Sequence, residues 1–94
     1  MKLLFEWDAR KAETNVQKHG VSFEEATTIF GDIRSQTIDD PLHSVDEKRF
    51  VTIGLSAKNR LLTVIHTDRG ERMRIISARR ASQKEIREYY EEKK

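Results

Sequence analysis

The residues best suited to acid–base chemistry lie in the turn around the single proline of the chain. His43 follows Pro41 and is close in sequence to Glu47, so an imidazole and a carboxylate are available together. A histidine titrates near neutral pH, which suits it to take or give a proton during catalysis. The alternative is an exposed loop histidine with no chemical role. His43 and Glu47 are the candidate acid–base pair.

The second half of the chain supplies the cations. Residues 1–47 carry five basic and ten acidic side chains, whereas residues 48–94 carry thirteen and six. The formal net charge of +2 therefore hides a split of −5 and +7 between the halves. Most of the basic side chains between residues 48 and 80 are arginines, which bind phosphate through two parallel hydrogen bonds. This asymmetry predicts a polyanionic partner. The alternative is a solvated sheet face whose cations pair with the acidic half.

Composition excludes several classes of protein. A chain of 94 residues without cysteine predicts one small domain over residues 1–94, with no disulfide scaffold and no thiolate metal site. The histidines, at positions 19, 43 and 66, lack the spacing of metal ligands, and His66 is expected to be a hydrogen-bonded core residue. We therefore predict no metal and no cofactor. Glycine-rich phosphate loops and serine-hydrolase motifs are absent. No apolar run approaches a membrane helix and the N-terminal apolar stub is too short for a signal peptide, so we expect a cytoplasmic protein.

Three helices are predicted from capping signals and from the spacing of apolar residues. The first is expected over residues 9–19 and is followed by a glycine suited to end it. The second begins at Ser22, because Ser22 and Glu25 have the spacing of a capping box. Ser82 and Glu85 repeat that spacing and predict the start of the third helix.

Runs of β-branched residues predict strands over residues 49–56, 61–67 and 72–78. Short polar links join these runs, which favours an antiparallel meander. With a short N-terminal strand and an edge strand near residues 34–40, the element order is β-α-α-β-β-β-β-α. We therefore predict an α+β fold in which an antiparallel sheet of about four strands carries two N-terminal helices and one C-terminal helix on one face.

The other face of that sheet is expected to be a shallow polar platform. Strict alternation along the last strand places Arg72 and Arg74 on one face and Arg79 on the other. Because an unpaired buried arginine is untenable, these side chains should rim the platform or the start of the last helix. For Arg72 and Arg74 the alternative is an ordinary surface pair.

Several segments together resemble one family. They are FEWD at 5–8, KHGVSFEEA at 18–26, EKR at 47–49 and RIISARRA at 74–81. This pattern covers nearly the whole chain and is similar to the BrnT family, the ribonuclease toxins of BrnT/BrnA type II toxin–antitoxin systems. The resemblance implies a RelE-like fold and an endoribonuclease that inhibits translation. It also implies a BrnA-type antitoxin as partner, in a two-plus-two complex that binds operator DNA through the antitoxin.

A metal-independent mechanism is consistent with these residues, because RNA carries its own 2′-hydroxyl nucleophile beside each phosphate. The candidate catalytic residues are His43, Glu47, Arg74, Arg79 and Arg80. The candidate RNA-binding residues are Lys48, Arg49, Arg60, Arg72 and Tyr89. Tyr89 either stacks on a base or docks the last helix on the sheet. The alternative function is a non-catalytic module that binds nucleic acid or a protein partner through the same basic surface.

Overall fold

The computed structural model describes residues 3–91, without the side chain of His43. The strands are β1 (Leu4–Glu6), β2 (Gln36–Asp39), β3 (Arg49–Leu55), β4 (Leu61–Arg69) and β5 (Arg72–Arg80). The helices are α1 (Ala9–His19), α2 (Phe23–Thr27) and α3 (Gln83–Glu91), with short 3₁₀ turns at Thr28–Gly31 and Pro41–His43. The predicted element order is confirmed, because each element begins or ends at a local signal such as a cap or a polar link.

The strands form one sheet in the order β1-β5-β4-β3-β2. Neighbouring strands are antiparallel except for β1, which runs parallel to β5. The α+β fold class is confirmed, and the sheet has five strands rather than about four. The additional edge is the N-terminal strand, which pairs with residues 72–74 only.

Local hydrogen bonds explain where the helices begin and end. Asp8 accepts the backbone N–H of Lys11 at 3.0 Å and begins α1, and Gly20 ends it with φ at 68°, in the left-handed region that glycine adopts at little cost. Ser82 and Glu85 form a reciprocal capping box, with each backbone N–H donating to the other side chain.

The main core lies between α1, α2 and one face of the sheet. From the helical side it contains Val21, Phe23, Ala26 and Ile29, and from β4 and β5 it contains Leu62, Val64, Ile75 and Ala78. Leu62 and Val64 flank Thr63 in β4, and because side chains alternate along a strand, Thr63 faces away from the helices while these two apolar positions face them. We call this side of the sheet the core face.

Helix α3 lies on the opposite face. Thr63 alternates with the core residues of β4, and its hydroxyl donates to the Glu85 carboxylate at 2.9 Å. Gln36, which shares that face by register, donates to the Tyr89 carbonyl at 3.4 Å. The prediction that all helices cover one face was wrong. The Glu85 side chain and the Tyr89 carbonyl of α3 find their partners in Thr63 and Gln36, on the side away from the apolar core.

A bulge in β5 changes which arginines share a face. Ile65 lies opposite Ser77, whereas the next residue, His66, lies opposite Ile75. Ile76 is therefore an extra residue without a partner in β4, and the alternation of side chains shifts at that point. The sequence-based prediction that Arg79 faces away from Arg72 and Arg74 was wrong, because strict alternation does not hold across a bulge.

Candidate functional site

The face of the sheet opposite α1 and α2, where α3 leaves it uncovered, carries a row of polar side chains across four strands. We call this region the open face. Arg49 of β3 lies opposite Thr67 of β4, Thr67 lies opposite Arg74 of β5, and Arg74 lies opposite Glu6 of β1. Since strands in a sheet are about 4.8 Å apart, the Cα atoms of Arg49 and Arg74 are roughly 10 Å from each other.

The neighbouring row on the open face is less polar. Val51, Ile65 and Ser77 lie opposite one another on β3, β4 and β5, and each is partly exposed. The next row brings Arg79 beside α3. The open face is therefore a shallow strip with an apolar floor between Arg49 and Arg74 on one side and Arg79 on the other. An apolar floor edged by guanidinium groups suits a base and its phosphates.

Two of these arginines are held by carboxylates. Arg74 Nη1 lies 3.0 Å from Glu6 Oε2, and both side chains are partly exposed. The Arg79 guanidinium binds both carboxylate oxygens of Glu85 at 2.9 Å. These bonds from Arg79, reinforced by the Ser82 N–H, lower the pKa of Glu85 to about 2. The pairs fix the direction of each guanidinium and leave N–H groups for an incoming phosphate.

Glu47 lies at the edge of the open face and contacts two arginines. Its Oε1 accepts from Arg69 Nε at 3.3 Å, and its Oε2 lies 4.0 Å from Arg49 Nη2. Arg49 Nε is buried and has no hydrogen-bond partner among the described residues. Arg49 therefore has an N–H donor available for a ligand, close to the Glu47 carboxylate.

The turn that carries His43 is tied to the start of β3. Ser44 Oγ donates to the Asp40 carbonyl at 2.7 Å and accepts the Arg49 N–H at 2.9 Å. The backbone of His43 ends the 3₁₀ turn Pro41–His43, and its side chain lies outside the described residues. The backbone of His43 is therefore one residue from the Ser44–Arg49 hydrogen bond, and Glu47 contacts Arg49 directly. Both members of the predicted pair thus belong to the segment next to Arg49.

Other predicted residues lie away from the open face. Lys48 Nζ pairs with Asp39 at 3.6 Å. Arg60 binds the buried carboxylate of Glu25 and the Gly20 carbonyl. This contact explains why the expected capping box at Ser22 is half formed, because Glu25 turns to Arg60 and to Ser56 instead.

The ends of β5 hold two more of the predicted residues. Arg80 lies opposite Leu62, so by register its side chain is on the core face at the exposed end of β5. Arg72 is exposed and lies opposite Arg69 at the outer end of the open face. The roles of Lys48, Arg60, Arg72 and Arg80 in binding RNA stay predictions.

Tyr89 is 3 % exposed, and its hydroxyl donates to Asp32 Oδ2 at 2.5 Å. Stacking on a base requires an exposed ring face. Of the two roles that the sequence left open, the structure therefore supports docking of α3.

His66 is a core residue, as predicted from the sequence. Its ring is 3 % exposed and lies against Phe30 and Phe50. Nε2 is 2.7 Å from the Thr52 hydroxyl, which in turn is 2.7 Å from the Thr37 hydroxyl. Burial lowers the pKa of His66, which keeps the ring neutral at physiological pH.

A cleft beside α1 was not predicted from the sequence. It has a volume of about 430 Å³ and is lined on one side by Arg10, Lys11 and Lys18, and on the other by Ile76 and Ser77 of the bulge. These three cations belong to residues 1–47, which carry a net charge of −5. A net charge counted over each half of the chain therefore gives no sign of a basic cluster there. All three lie in the helix predicted over residues 9–19, and their spacing along that helix was the signal in the sequence that could have shown the cluster.

The described residues lack a metal site and a membrane-spanning helix. Residues 3–91, leaving aside the side chain of His43, contain no group of three or more His, Asp or Glu side chains placed to hold a metal ion. Over the same residues, none of the helices has the length and apolar character needed to cross a membrane.

Comparisons with known proteins point to one family. Residues 7–85 match the family described as the ribonuclease toxin, BrnT, of type II toxin–antitoxin systems. The chain is also similar to the BrnT ribonuclease toxin of Brucella abortus, whose crystal structure was determined at 1.1 Å. The identity is 25 %, the TM-score is 0.66, and the match covers 87 % of this chain and 100 % of that one. No curated protein matches the sequence.

Proposed function

Because this chain belongs to the BrnT family of ribonuclease toxins from type II toxin–antitoxin systems, we propose that it is a metal-independent endoribonuclease that uses its open face. The observation that carries the proposal is the row in which Arg49 and Arg74 flank Thr67, with Arg79 farther along the same face. Fixed guanidinium groups supply the positive charge that a metal ion provides in other nucleases.

The reaction requires two proton transfers and stabilisation of charge. Removal of the proton from the 2′-hydroxyl lets that oxygen attack the adjacent phosphorus. The bond from phosphorus to the 5′-oxygen breaks as the leaving oxygen takes a proton. The products are a 2′,3′-cyclic phosphate and a 5′-hydroxyl. Arg49 and Arg74 stabilise the additional negative charge on the phosphate oxygens in the transition state, and Arg79 holds a neighbouring phosphate.

Glu47 and His43 are the residues proposed to move the protons. Glu47 lies beside Arg49, so a base at this position is next to the proposed phosphate site. His43 precedes it in a turn that Ser44 ties to the start of β3. Histidine is a residue type suited to donate a proton to a leaving oxygen.

Translation stops, on this proposal, because RNA is cut. A BrnA-type antitoxin neutralises the toxin in a two-plus-two complex and contacts the operator DNA itself. Membership of a type II toxin–antitoxin family supports a protein antitoxin as the partner. The identity of that antitoxin and the stoichiometry are part of the proposal.

The test is incubation of the purified protein with naked RNA in EDTA, followed by mapping of the ends. The proposal predicts cleavage with 2′,3′-cyclic phosphate and 5′-hydroxyl ends. A strict requirement for Mg²⁺ would contradict the metal-independent mechanism. RNA that is bound and stays intact, both alone and on ribosomes, would support the non-catalytic binding module instead.

A second experiment tests the acid–base pair. His43→Asn and Glu47→Gln are expected to lower kcat more than they raise KM, and each should remove one limb of the pH profile. A variant that folds normally and retains both limbs would exclude that residue as the acid or the base.

A further inference from the structure

The cleft beside α1 opens at an unpaired part of the sheet edge. Strand β1 covers β5 from Arg72 to Arg74, so among the described residues the bulge and the residues after it have no strand on that side, although β4 pairs with them on the other. The side chain of Asn15 takes the place of a strand there. Its oxygen accepts the Ala78 N–H at 3.2 Å, and its nitrogen donates to the Ala78 carbonyl at 2.8 Å. These bonds fix α1 against β5 and keep the cleft formed.

The lining of the cleft is positively charged. Arg10, Lys11 and Lys18 contribute three cations, and within the described residues no carboxylate lies within 4.0 Å of them. The one carboxylate in the lining is Asp8, which accepts the Lys11 N–H as the cap of α1. The net charge of the lining is therefore positive, and it favours an anionic ligand.

The cleft continues from the open face around the edge of β5. Ser77 lines the cleft, and by register it also shares the open face with Ile65. Arg74 of the open face is close enough to contribute to lowering the pKa of Asp8, whose main cause is the Lys11 N–H. The cleft and the open face therefore adjoin at Ser77, on the edge of β5.

We propose that this cleft binds the phosphate backbone of the same RNA strand that is cut on the open face, at phosphates outside the reacting one. The inference rests on the proposed ribonuclease function and deepens it, because it predicts a preference for substrates long enough to reach α1. Continuity with the open face favours RNA over an acidic polypeptide. A positively charged groove that follows the backbone is the usual basis of single-strand binding without sequence preference.

The test compares two triple variants with the same change in charge. In the cleft variant Arg10, Lys11 and Lys18 become Gln, which preserves helix propensity and the Asp8 cap. In the control variant Arg87, Lys58 and Lys84, which are exposed and lie outside the cleft, become Gln. Uncleavable 2′-O-methyl RNAs of 4 and 12 nucleotides are titrated at several salt concentrations, and thermal unfolding confirms that each protein folds.

The cleft variant is expected to bind the 12-mer at least tenfold more weakly than the unsubstituted protein at 0.1 M salt. Because each phosphate contact contributes about 0.7 to the slope of log K against log salt, three lost contacts should lower that slope by about 2. Binding of the 4-mer should change less than twofold, and the control variant should bind both RNAs normally. If the triple variant unfolds, the double variant Arg10→Gln/Lys18→Gln should lower the slope by about 1.4.

Three outcomes would overturn the inference. The first is that the cleft variant binds the 12-mer as tightly as the unsubstituted protein does. If the unsubstituted protein still cleaves RNA, this result overturns the cleft proposal alone and leaves the proposed function intact. The second is an equal loss in the control variant, which would indicate an effect of overall charge. The third is that polyglutamate binds the unsubstituted protein through these cations while RNA binding is independent of them. Failure of the unsubstituted protein to bind or cut any RNA would overturn the proposed function as well.

Discussion

Tyr89 and Asp32 join the last helix to the loop before β2. Oδ2 of Asp32 accepts the Tyr89 hydroxyl at 2.5 Å and the Leu55 N–H at 2.8 Å. Burial and the bond to Asp32 raise the pKa of Tyr89 to about 12. Burial alone would raise the pKa of Asp32, but the bonds from Tyr89 and the backbone outweigh it and lower that pKa. Asp32 therefore stays ionised and holds α3 in place.

Removal of this hydroxyl tests the role of Tyr89. We expect Tyr89→Phe to lower the free energy of unfolding by about 1–3 kcal/mol, because a hydrogen bond to a partly buried carboxylate is lost. Tyr90→Phe is the matched control, since Tyr90 is 54 % exposed and should change stability by less than about 0.5 kcal/mol. Urea unfolding measures both. Unchanged stability of Tyr89→Phe together with weaker RNA binding would instead indicate a role in contacting RNA.

Glu85 should make stability depend on acid pH. Its pKa in the folded protein is about 2, below the ordinary value of 4.5, so its ionised form stabilises the fold. This stabilisation is complete above about pH 4.5 and disappears as the pH falls towards 2. The stability difference between the unsubstituted protein and Glu85→Gln should therefore be largest at neutral pH and shrink below pH 4.5. A difference that stays constant from pH 7 to pH 2.5 would contradict the assignment.

At the scale of elements, the Thr28–Gly31 turn packs closely against β3 because residue 54 is a glycine. A Cβ at Gly54 would lie 3.0 Å from the Ser35 Cβ and 3.1 Å from both the Cβ and the carbonyl oxygen of Ile29. Ile29 is a core residue, and one of these contacts is with its backbone. A side chain at position 54 would therefore separate the turn from the sheet.

Gly54→Ala is expected to destabilise the protein by about 1–3 kcal/mol, because an added methyl group overpacks a closely packed contact. Gly31→Ala is the control, since a Cβ there meets no atom within 4 Å. Thermal or urea unfolding of the two variants gives the comparison. Equal stability of Gly54→Ala and Gly31→Ala would show that the turn moves away at little cost.

Elements with local signals could be predicted from the sequence, whereas long-range packing could not. The Ser82–Glu85 box and the Gly20 terminus each depend on residues within a few positions, and both were correct. The bond between Glu25 and Arg60 joins residues 35 positions apart, and a capping spacing does not reveal it.

The same distinction applies to the faces of the sheet. The bulge at Ile76 depends on the pairing of β4 with β5 and decides that Arg79 shares a face with Arg74. The face chosen by α3 depends on Thr63 and Gln36, which belong to other strands. For the candidate site, the sequence therefore predicted which arginines to consider but not which of them lie together.

At the scale of the whole molecule, the two oppositely charged halves of the chain are partly paired. Within residues 3–91, five ion pairs join an acidic residue of the first half to a basic residue of the second: Glu6–Arg74, Glu25–Arg60, Asp39–Lys48, Glu47–Arg49 and Glu47–Arg69. Charge pairing between the halves, which the sequence left open as an alternative, is thus part of the structure. Arg10, Lys11 and Lys18 take part in none of the ion pairs of the described residues, so the cleft beside α1 still offers positive charge to a polyanion.

The central claim is that the row holding Arg49 and Arg74 binds the reacting phosphate. Single-turnover cleavage of one RNA in EDTA, by Arg49→Gln, by Arg74→Lys and by the control Lys58→Gln, tests it most directly. Loss of a fixed donor to the transition state predicts a rate about 10²–10³-fold lower for Arg49→Gln. Arg74→Lys should also be slower, because lysine keeps the charge and loses the two-pronged geometry. Lys58→Gln should cleave normally, and native rates in both arginine variants, with normal unfolding curves, would contradict the account.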